Sequence, residues 1–463
     1  MTPDAKYERV RKELLARILS GEFESGKLPP LPKLAEEHDV SLMTASRAVK
    51  LLEKDGVVSC GPGSVGTLID MVKARLKSAE SGKNYIWADE SMRYIDNVTL
   101  RYMASDYQDV AKDMWDGIAA DFSAEYPWIK IEFYQERFSG FPPRGYDVFQ
   151  TASRDLRNYA ARGAALDLSP FMRAHTDAAG YFTEAALRFG TTESGVYGLP
   201  MLMNFPALFF NRKTVSRPPA GWHEFQRLSK ELLAKGKFTA VAIGLLSFLM
   251  HWTDDIKKEF SSPDDSAALE SALVFLKELY TASPELNGFG DPQKVVSGFL
   301  RGEVAMLCGY TSLLKDVAGT PGLEFGMAPM PLADRAPDEL LTEVVLNSVS
   351  SECASPADAW LFVKYLASPP AQRLIARRNH AVPAGRRILE NESSLCHSEL
   401  GSVLEGRLSR LRPMPFSTKT MRSAYSRGYI AAEKHFNNEI SLKVAARLMK
   451  EKMNEIFLLD DMI

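Results

Sequence analysis

Along the first seventy residues the spacing of apolar positions changes from helical to strand-like. Tyr7, Val10, Leu14, Leu15 and Ile18 recur at helical spacing and give a first helix one core-facing side. Leu34 and Ala35 then repeat against Val40 across a tight turn at His38-Asp39-Val40-Ser41. Ser41 can N-cap the next helix, on which Ala45, Ala48, Val49 and Leu52 lay a second core-facing stripe. Gly56 ends that helix, and residues 57–60 and 67–69 read as strands joined by the loop Gly61-Pro62-Gly63-Ser64-Val65-Gly66. Residues 71–97 are polar with a Ser-Gly turn and little periodicity, which predicts a linker, with Trp87 and Tyr94 docking it on a neighbouring domain. A strand at 98–103, a helix at about 109–126, strands at 129–134 and 146–149 and a helix at 156–162 follow. That alternation predicts an α/β sheet whose ligands sit at the carboxyl ends of its strands.

Helix, helix, tight turn, helix and two strands with a Gly-rich tip is the order of a winged helix-turn-helix. Its third helix turns Leu42, Met43, Thr44, Ser46, Arg47 and Lys50 away from the core. Small hydroxyl residues let the backbone approach phosphates, and Arg47 and Lys50 reach a phosphate or a base edge from a major groove. With Gly63 and Ser64 at the wing and Lys33 on the second helix, the candidate contacts to double-stranded DNA are Lys33, Ser41, Thr44, Ser46, Arg47, Lys50, Gly63 and Ser64. Tyr7, Ile18-Leu19-Ser20-Gly21, Leu28-Pro29, Leu34-Ala35, Val40-Ser41, Thr44, Arg47-Ala48, Leu51-Leu52, Gly56 and Gly66-Thr67 together resemble the DNA-binding domain of GntR-family transcription regulators. That family usually has an arginine before the Leu-Ala pair, after the Val-Ser pair and after the Thr-Val step. Here those positions are Pro32, Leu42 and Ser46, so the resemblance implies the fold but not an operator sequence. A small helical domain with a polar surface helix, or a winged helix that binds protein, is the alternative.

Composition narrows the picture further. A chain of 463 residues exceeds one ordinary core, so two or three domains are expected. With 45% hydrophobic and 25% charged residues it reads as globular, and a net charge of −3 means that any DNA binding is local to one patch. Cys60, Cys308, Cys353 and Cys396 are scattered, without zinc or disulfide spacing. The first helix lacks the apolar core of a signal peptide and no run is long enough to span a bilayer, which predicts a cytoplasmic protein without a membrane partner.

A second resemblance covers most of the remaining chain. Asp147-Val148, Gly163, Leu166-Asp167-Leu168, Gly195-Val196-Tyr197-Gly198-Leu199-Pro200 and Leu208-Phe209-Phe210-Asn211-Arg212 carry its first half. Gly221-Trp222-His223-Glu224-Phe225, Phe299-Leu300-Arg301-Gly302-Glu303-Val304-Ala305-Met306 and Ala359-Trp360-Leu361-Phe362-Val363-Lys364-Tyr365-Leu366 continue it. In this order and spacing they resemble the extracellular solute-binding proteins of sugar importers. The resemblance implies a multidomain chain: an N-terminal α+β winged helix-turn-helix at 1–70, a linker at 71–97, and a two-lobed α/β periplasmic-binding-protein-like domain of type II at 98–463. Lobe one would comprise about 97–204 and 347–384, and lobe two about 205–346 and 385–463. The C-terminal helix, with Leu442, Ala445, Leu448, Met449, Met453 and Ile456, would pack on lobe two.

A sugar offers C–H faces to stack on and hydroxyls to hydrogen-bond, so its cleft needs aromatic and planar polar groups. Position at strand ends and crossings singles out Asp106, Tyr107, Glu136, Gln150, Asn204, Trp252, Tyr310 and Asn347, with Arg137 and Thr151 beside two of them. His251 stands near Asp254 and Asp255 without a second His or Cys at ligand spacing, so no metal is expected. GxSxG, P-loop, HExxH and GxGxxG motifs are absent, and neither catalysis nor a cofactor is expected. The combined expectation is a ligand-responsive transcription regulator. It would be a homodimer on a pseudo-palindromic DNA operator, with a small-molecule effector, a sugar, in its cleft. A solute-binding protein without DNA function and a carbohydrate-active enzyme are the alternatives.

Overall fold

The structure, a computed structural model, describes residues 3–19, 22–23, 26–61, 66–70, 73–74, 85–88, 91–94, 98–105, 112–253, 255–261, 267–282, 292–332, 339–377, 382–392 and 398–461. Residues 1–99 with 121–130 form one compact unit, and residues 100–120 with 131–463 form a second.

The first unit begins with helices α1 (Pro3–Leu19), α2 (Leu31–Glu37) and α3 (Leu42–Lys54) and strands β1 (Lys27–Leu28), β2 (Val58–Cys60) and β3 (Thr67–Ile69). The strands pair antiparallel in the order β1-β3-β2, so the wing rests on a strand too short to show in the apolar pattern. Asp39 adopts φ 47 in the turn before α3, a left-handed conformation that Asp tolerates. There the Val40 N–H reaches the Ala35 carbonyl at 2.9 Å, and the Thr44 N–H donates to the Ser41 Oγ at 3.2 Å as α3 starts. Val10, Leu14, Ile18, Leu34, Ala45, Ala48, Val49, Leu52 and Val57 form the core beneath. Between 71 and 97, β4 (Tyr85–Ala88) pairs antiparallel with β5 (Ser91–Tyr94), so the expected linker contains a hairpin.

Two sheets follow. Their strands are β6 (Val98–Ala104), β7 (Ile129–Gln135), β8 (Val148–Ala152), β9 (Thr191–Thr192), β10 (Gly195–Val196), β11 (Leu199–Asn204), β12 (Pro206–Asn211), β13 (Phe238–Val241), β14 (Val304–Tyr310), β15 (Phe325–Pro329), β16 (Leu340–Val349), β17 (Val382–Pro383) and β18 (Leu411–Pro413). The larger sheet runs β17-β11-β16-β8-β6-β7, with β18 parallel to β16. The smaller runs β13-β14-β12-β15, and β9 and β10 pair separately. Phe205 alone separates β11 from β12, so the chain changes sheet across one residue. It returns before Leu340: all of β16 belongs to the larger sheet, including the residues up to 346 that the sequence reading put in lobe two. In the larger sheet's lobe Tyr102 meets Trp115 and Phe362 edge-on at ring distances of 5.3 and 5.2 Å. The other lobe packs Trp222, Phe225, Phe248 and Phe275 with Ala445, Met449, Met453 and Ile456, so the C-terminal helix (Leu442–Asp461) spends its apolar face within the lobe. No helix among the described residues is long and apolar enough to cross a membrane.

Candidate functional site

The outward side of α3 carries a sparse set of polar and charged groups. Arg47 and Lys50 are exposed, with the Arg47 guanidinium 4.1 Å from the Tyr7 ring centre, a cation–π contact that holds it near the helix. Ser41 and Thr44 share a 2.8 Å hydroxyl contact at the cap, Ser46 is half-buried, and Lys33 on α2 lies 3.9 Å from Glu37. Leu42 and Met43 are 54% and 81% exposed at the start of α3, an apolar tip on a helix that buries Ala45, Ala48, Val49 and Leu52. Several acids of this unit are engaged by arginines off that face. Arg17 engages Glu22 at 2.7 Å and Glu37 at 2.9 Å, and Arg11 engages Asp55 at 2.6 Å. The hydrogen bond to Arg17 lowers the pKa of the Glu22 carboxyl. Gly63 and Ser64 lie outside the described residues.

Between the two sheets lies a cleft of about 550 Å³. Ser105 follows β6, Arg137 follows β7 and Arg154 follows β8, while Asn204 closes β11 and Tyr310 closes β14. Leu245, Leu246 and Ser247 enter from the start of the helix Leu245–Trp252, and Met421 and Arg422 from the helix Thr418–Phe436. This is the rim outside the carboxyl ends of strands, where α/β sheets bind ligands. Most of the polar groups are held in place. The Tyr310 hydroxyl donates to Ser247 Oγ at 2.8 Å, and Asn204 Oδ1 accepts from Thr311 Oγ1 at 3.0 Å and from the Ser312 N–H at 3.1 Å. Arg154 pairs with Glu343 on β16 and donates to Thr418 Oγ1 at 2.9 Å; Asp155 accepts from the Thr418 N–H at 2.8 Å. Burial raises the pKa of the Glu343 carboxyl although Arg154 pulls the other way, and burial raises the Tyr310 phenol too. Arg422 donates to the Phe138 carbonyl at 2.5 Å, tying the two walls, and Arg137 makes no hydrogen bond or ion pair among the described residues.

Of the ligand contacts singled out in the sequence, Asn204 and Tyr310 line this cleft, and Asp106 and Tyr107 lie outside the described residues. The other four are placed elsewhere. Glu136 accepts from the Tyr146 hydroxyl at 2.5 Å on the exposed side of its loop, and its neighbour Arg137 faces the cleft instead. Gln150 is buried behind the rim, where its Oε1 accepts from the Ser105 N–H at 2.8 Å; Asn347, also buried, accepts from the Tyr102 hydroxyl at 2.7 Å. Trp252 stacks on Phe275 at 5.2 Å and donates to Ser271 Oγ at 2.9 Å, so its ring serves lobe packing. Arg154, Glu343, Ser247 and Arg422 are cleft residues that the strand-end rule did not select. His251 is buried with its Nδ1 2.8 Å from the Ser247 carbonyl, and burial lowers its pKa to about 4. Among the described residues no three His, Cys, Asp or Glu side chains group as a metal would need.

Comparison with known proteins accords with this geometry. The unliganded and acarbose-bound GacH receptor of Streptomyces glaucescens GLA.O superimposes with a TM-score of 0.64 at 17% identity, over 78% of this chain and 98% of that one. The substrate-binding protein Lmo0181 of Listeria monocytogenes, solved with cycloalternan, gives 0.63 at 16% identity over 78% and 99%. An uncharacterized lipoprotein in the oleD 5' region of Streptomyces antibioticus is 22% identical over 395 residues, 72% of this chain and 83% of its own. Residues 6–69 match the gntR family of bacterial regulatory proteins, and residues 104–373, more than half of the chain, match the bacterial extracellular solute-binding proteins. The chain therefore belongs to the bacterial extracellular solute-binding protein family and carries a gntR-family helix-turn-helix domain at its amino end.

Proposed function

We propose that this protein is a cytoplasmic transcription regulator whose solute-binding domain senses a small carbohydrate and whose winged helix binds double-stranded DNA as a homodimer on a pseudo-palindromic operator. The observation that carries the reading is the presence, in one chain, of a gntR-family domain with an outward Arg47–Lys50 face and a ligand cleft of the solute-binding kind. Relatives of the same fold are described with acarbose and with cycloalternan, which supports a saccharide as effector. Tyr310, Asn204, Ser105 and Ser247 supply an aromatic face and hydroxyl and amide partners for one. On the DNA side Arg47 and Lys50 take phosphates or base edges, and Leu42 and Met43 offer apolar contact to a thymine methyl.

The ligand closes the two lobes, and closure alters the spacing of the two winged helices on the operator. A useful response of about 5–150-fold in operator affinity needs about 1–3 kcal/mol of coupling. The test is selection of an operator from random duplexes followed by anisotropy titrations at several salt concentrations. Binding that steepens as salt falls, and weakens in Lys50→Ala, supports the reading. A chain that selects no duplex above background is instead a solute-binding protein without DNA function.

A further inference from the structure

Positive charge is concentrated beside the cleft of a chain whose net charge is −3. Arg154 lines the cleft and also a second groove of about 840 Å³, which runs between the residues after β8, the segment around Arg188 and the strand β18. Five further cations line that groove: Arg157, Arg188, Lys257, Arg410 and Arg412. Among the described residues Glu339 is its one lining carboxylate, 3.7 Å from Arg412 Nε. The same imbalance holds among the described residues of the cleft, where Arg137 and Arg422 join Arg154 and the one lining carboxylate, Glu343, is taken by Arg154. Arg157 and Arg188 are exposed and make no hydrogen bond or ion pair among the described residues.

Like charges gathered in a concave wall repel one another, and the arrangement becomes favourable when an anion enters. Guanidinium groups bind carboxylate and phosphate through paired N–H donors, which ammonium groups or neutral amides do less well. We infer that the groove is an anion subsite, holding the phosphate or carboxylate of an acidic saccharide whose neutral ring occupies the cleft on the other side of Arg154. The inference rests on the carbohydrate reading for the ring and on the groove's own charge for the anion.

The test is isothermal titration of the full chain with neutral mono- and disaccharides, each matched with its phosphate ester and its uronic acid, and with inorganic phosphate alone. At least one charged member should bind about tenfold or more tighter than its neutral partner, an advantage that shrinks as salt rises. The ester and acid arms distinguish phosphate from carboxylate. In Arg157→Gln/Arg188→Gln, which removes two side chains without partners among the described residues, the charged advantage should fall at least about tenfold while neutral sugars bind as before. Neutral sugars that bind as tightly as both charged counterparts, or an advantage that survives the double substitution, would overturn the anion subsite and leave the carbohydrate reading standing. Failure of every probe would overturn both.

Discussion

The winged helix and the two-lobed domain display their working groups by opposite routes. On α3 the outward residues come from one helix, and the 3.6-residue period that buries Ala45, Ala48, Val49 and Leu52 also decides that Arg47 and Lys50 face out. In the cleft, Ser105, Arg154, Asn204, Tyr310, Glu343 and Arg422 arrive from separate elements and meet only because the chain crosses between two sheets. The first kind of site tolerates loss of a contact at modest cost. The second is built into the lobe, so damage to it should appear as instability as well as lost binding.

The strongest way to break that contrast is Arg154→Ala. It leaves the largely buried Glu343 without its cation and removes a bond to Thr418, the residue that also donates to the buried Asp155. Urea unfolding of the lobes should lose about 3–5 kcal/mol, whereas a loss below about 1 kcal/mol would mark the pair as solvated and the contrast as false. The next effect is set by pH. Burial lowers His251 to about 4, from an unfolded value of 6.5, so the unfolded chain takes up the proton first. The neutral form's stability is complete above 6.5 and is lost as pH falls toward 4, by on the order of 3 kcal/mol, a slope that His251→Gln should flatten.

Changes on the winged helix should be smaller. Ser41→Ala removes the cap of α3 and should cost about 1 kcal/mol of its stability, seen as a lower melting temperature of the N-terminal unit. Lys50→Ala should leave melting unchanged, weaken binding about equally across DNA sequences and reduce the salt slope by about 1. A Lys50 effect confined to one operator base would instead make it a base reader.

The same contrast explains what could be read without coordinates. The core of the first unit was legible because its apolar periods are local, whereas β1 was not, since Lys27–Leu28 is two residues long. Asn204 and Tyr310 were found because they end strands. Of the two candidates after the second strand, Arg137 lines the cleft and Glu136 does not, since successive residues of extended chain point to opposite sides. Ending the third strand at Phe149 hid Arg154: β8 continues to Ala152, and the rim residue follows it. Trp252 was placed by its sequence distance from a strand. The helix that carries it meets the cleft at Leu245, and eight residues of helix move the far end about 12 Å away. Glu343 required knowing that β16 joins the larger sheet, and Arg422 comes from a helix far along the chain, neither of which a local pattern encodes.

The central claim is that occupancy of the cleft governs the reading head. Operator affinity of the full chain, measured by fluorescence anisotropy with and without a saccharide that raises its melting temperature, tests this most directly. A shift of about 5–150-fold in the dissociation constant is predicted. An operator affinity unchanged at saturating ligand would contradict it.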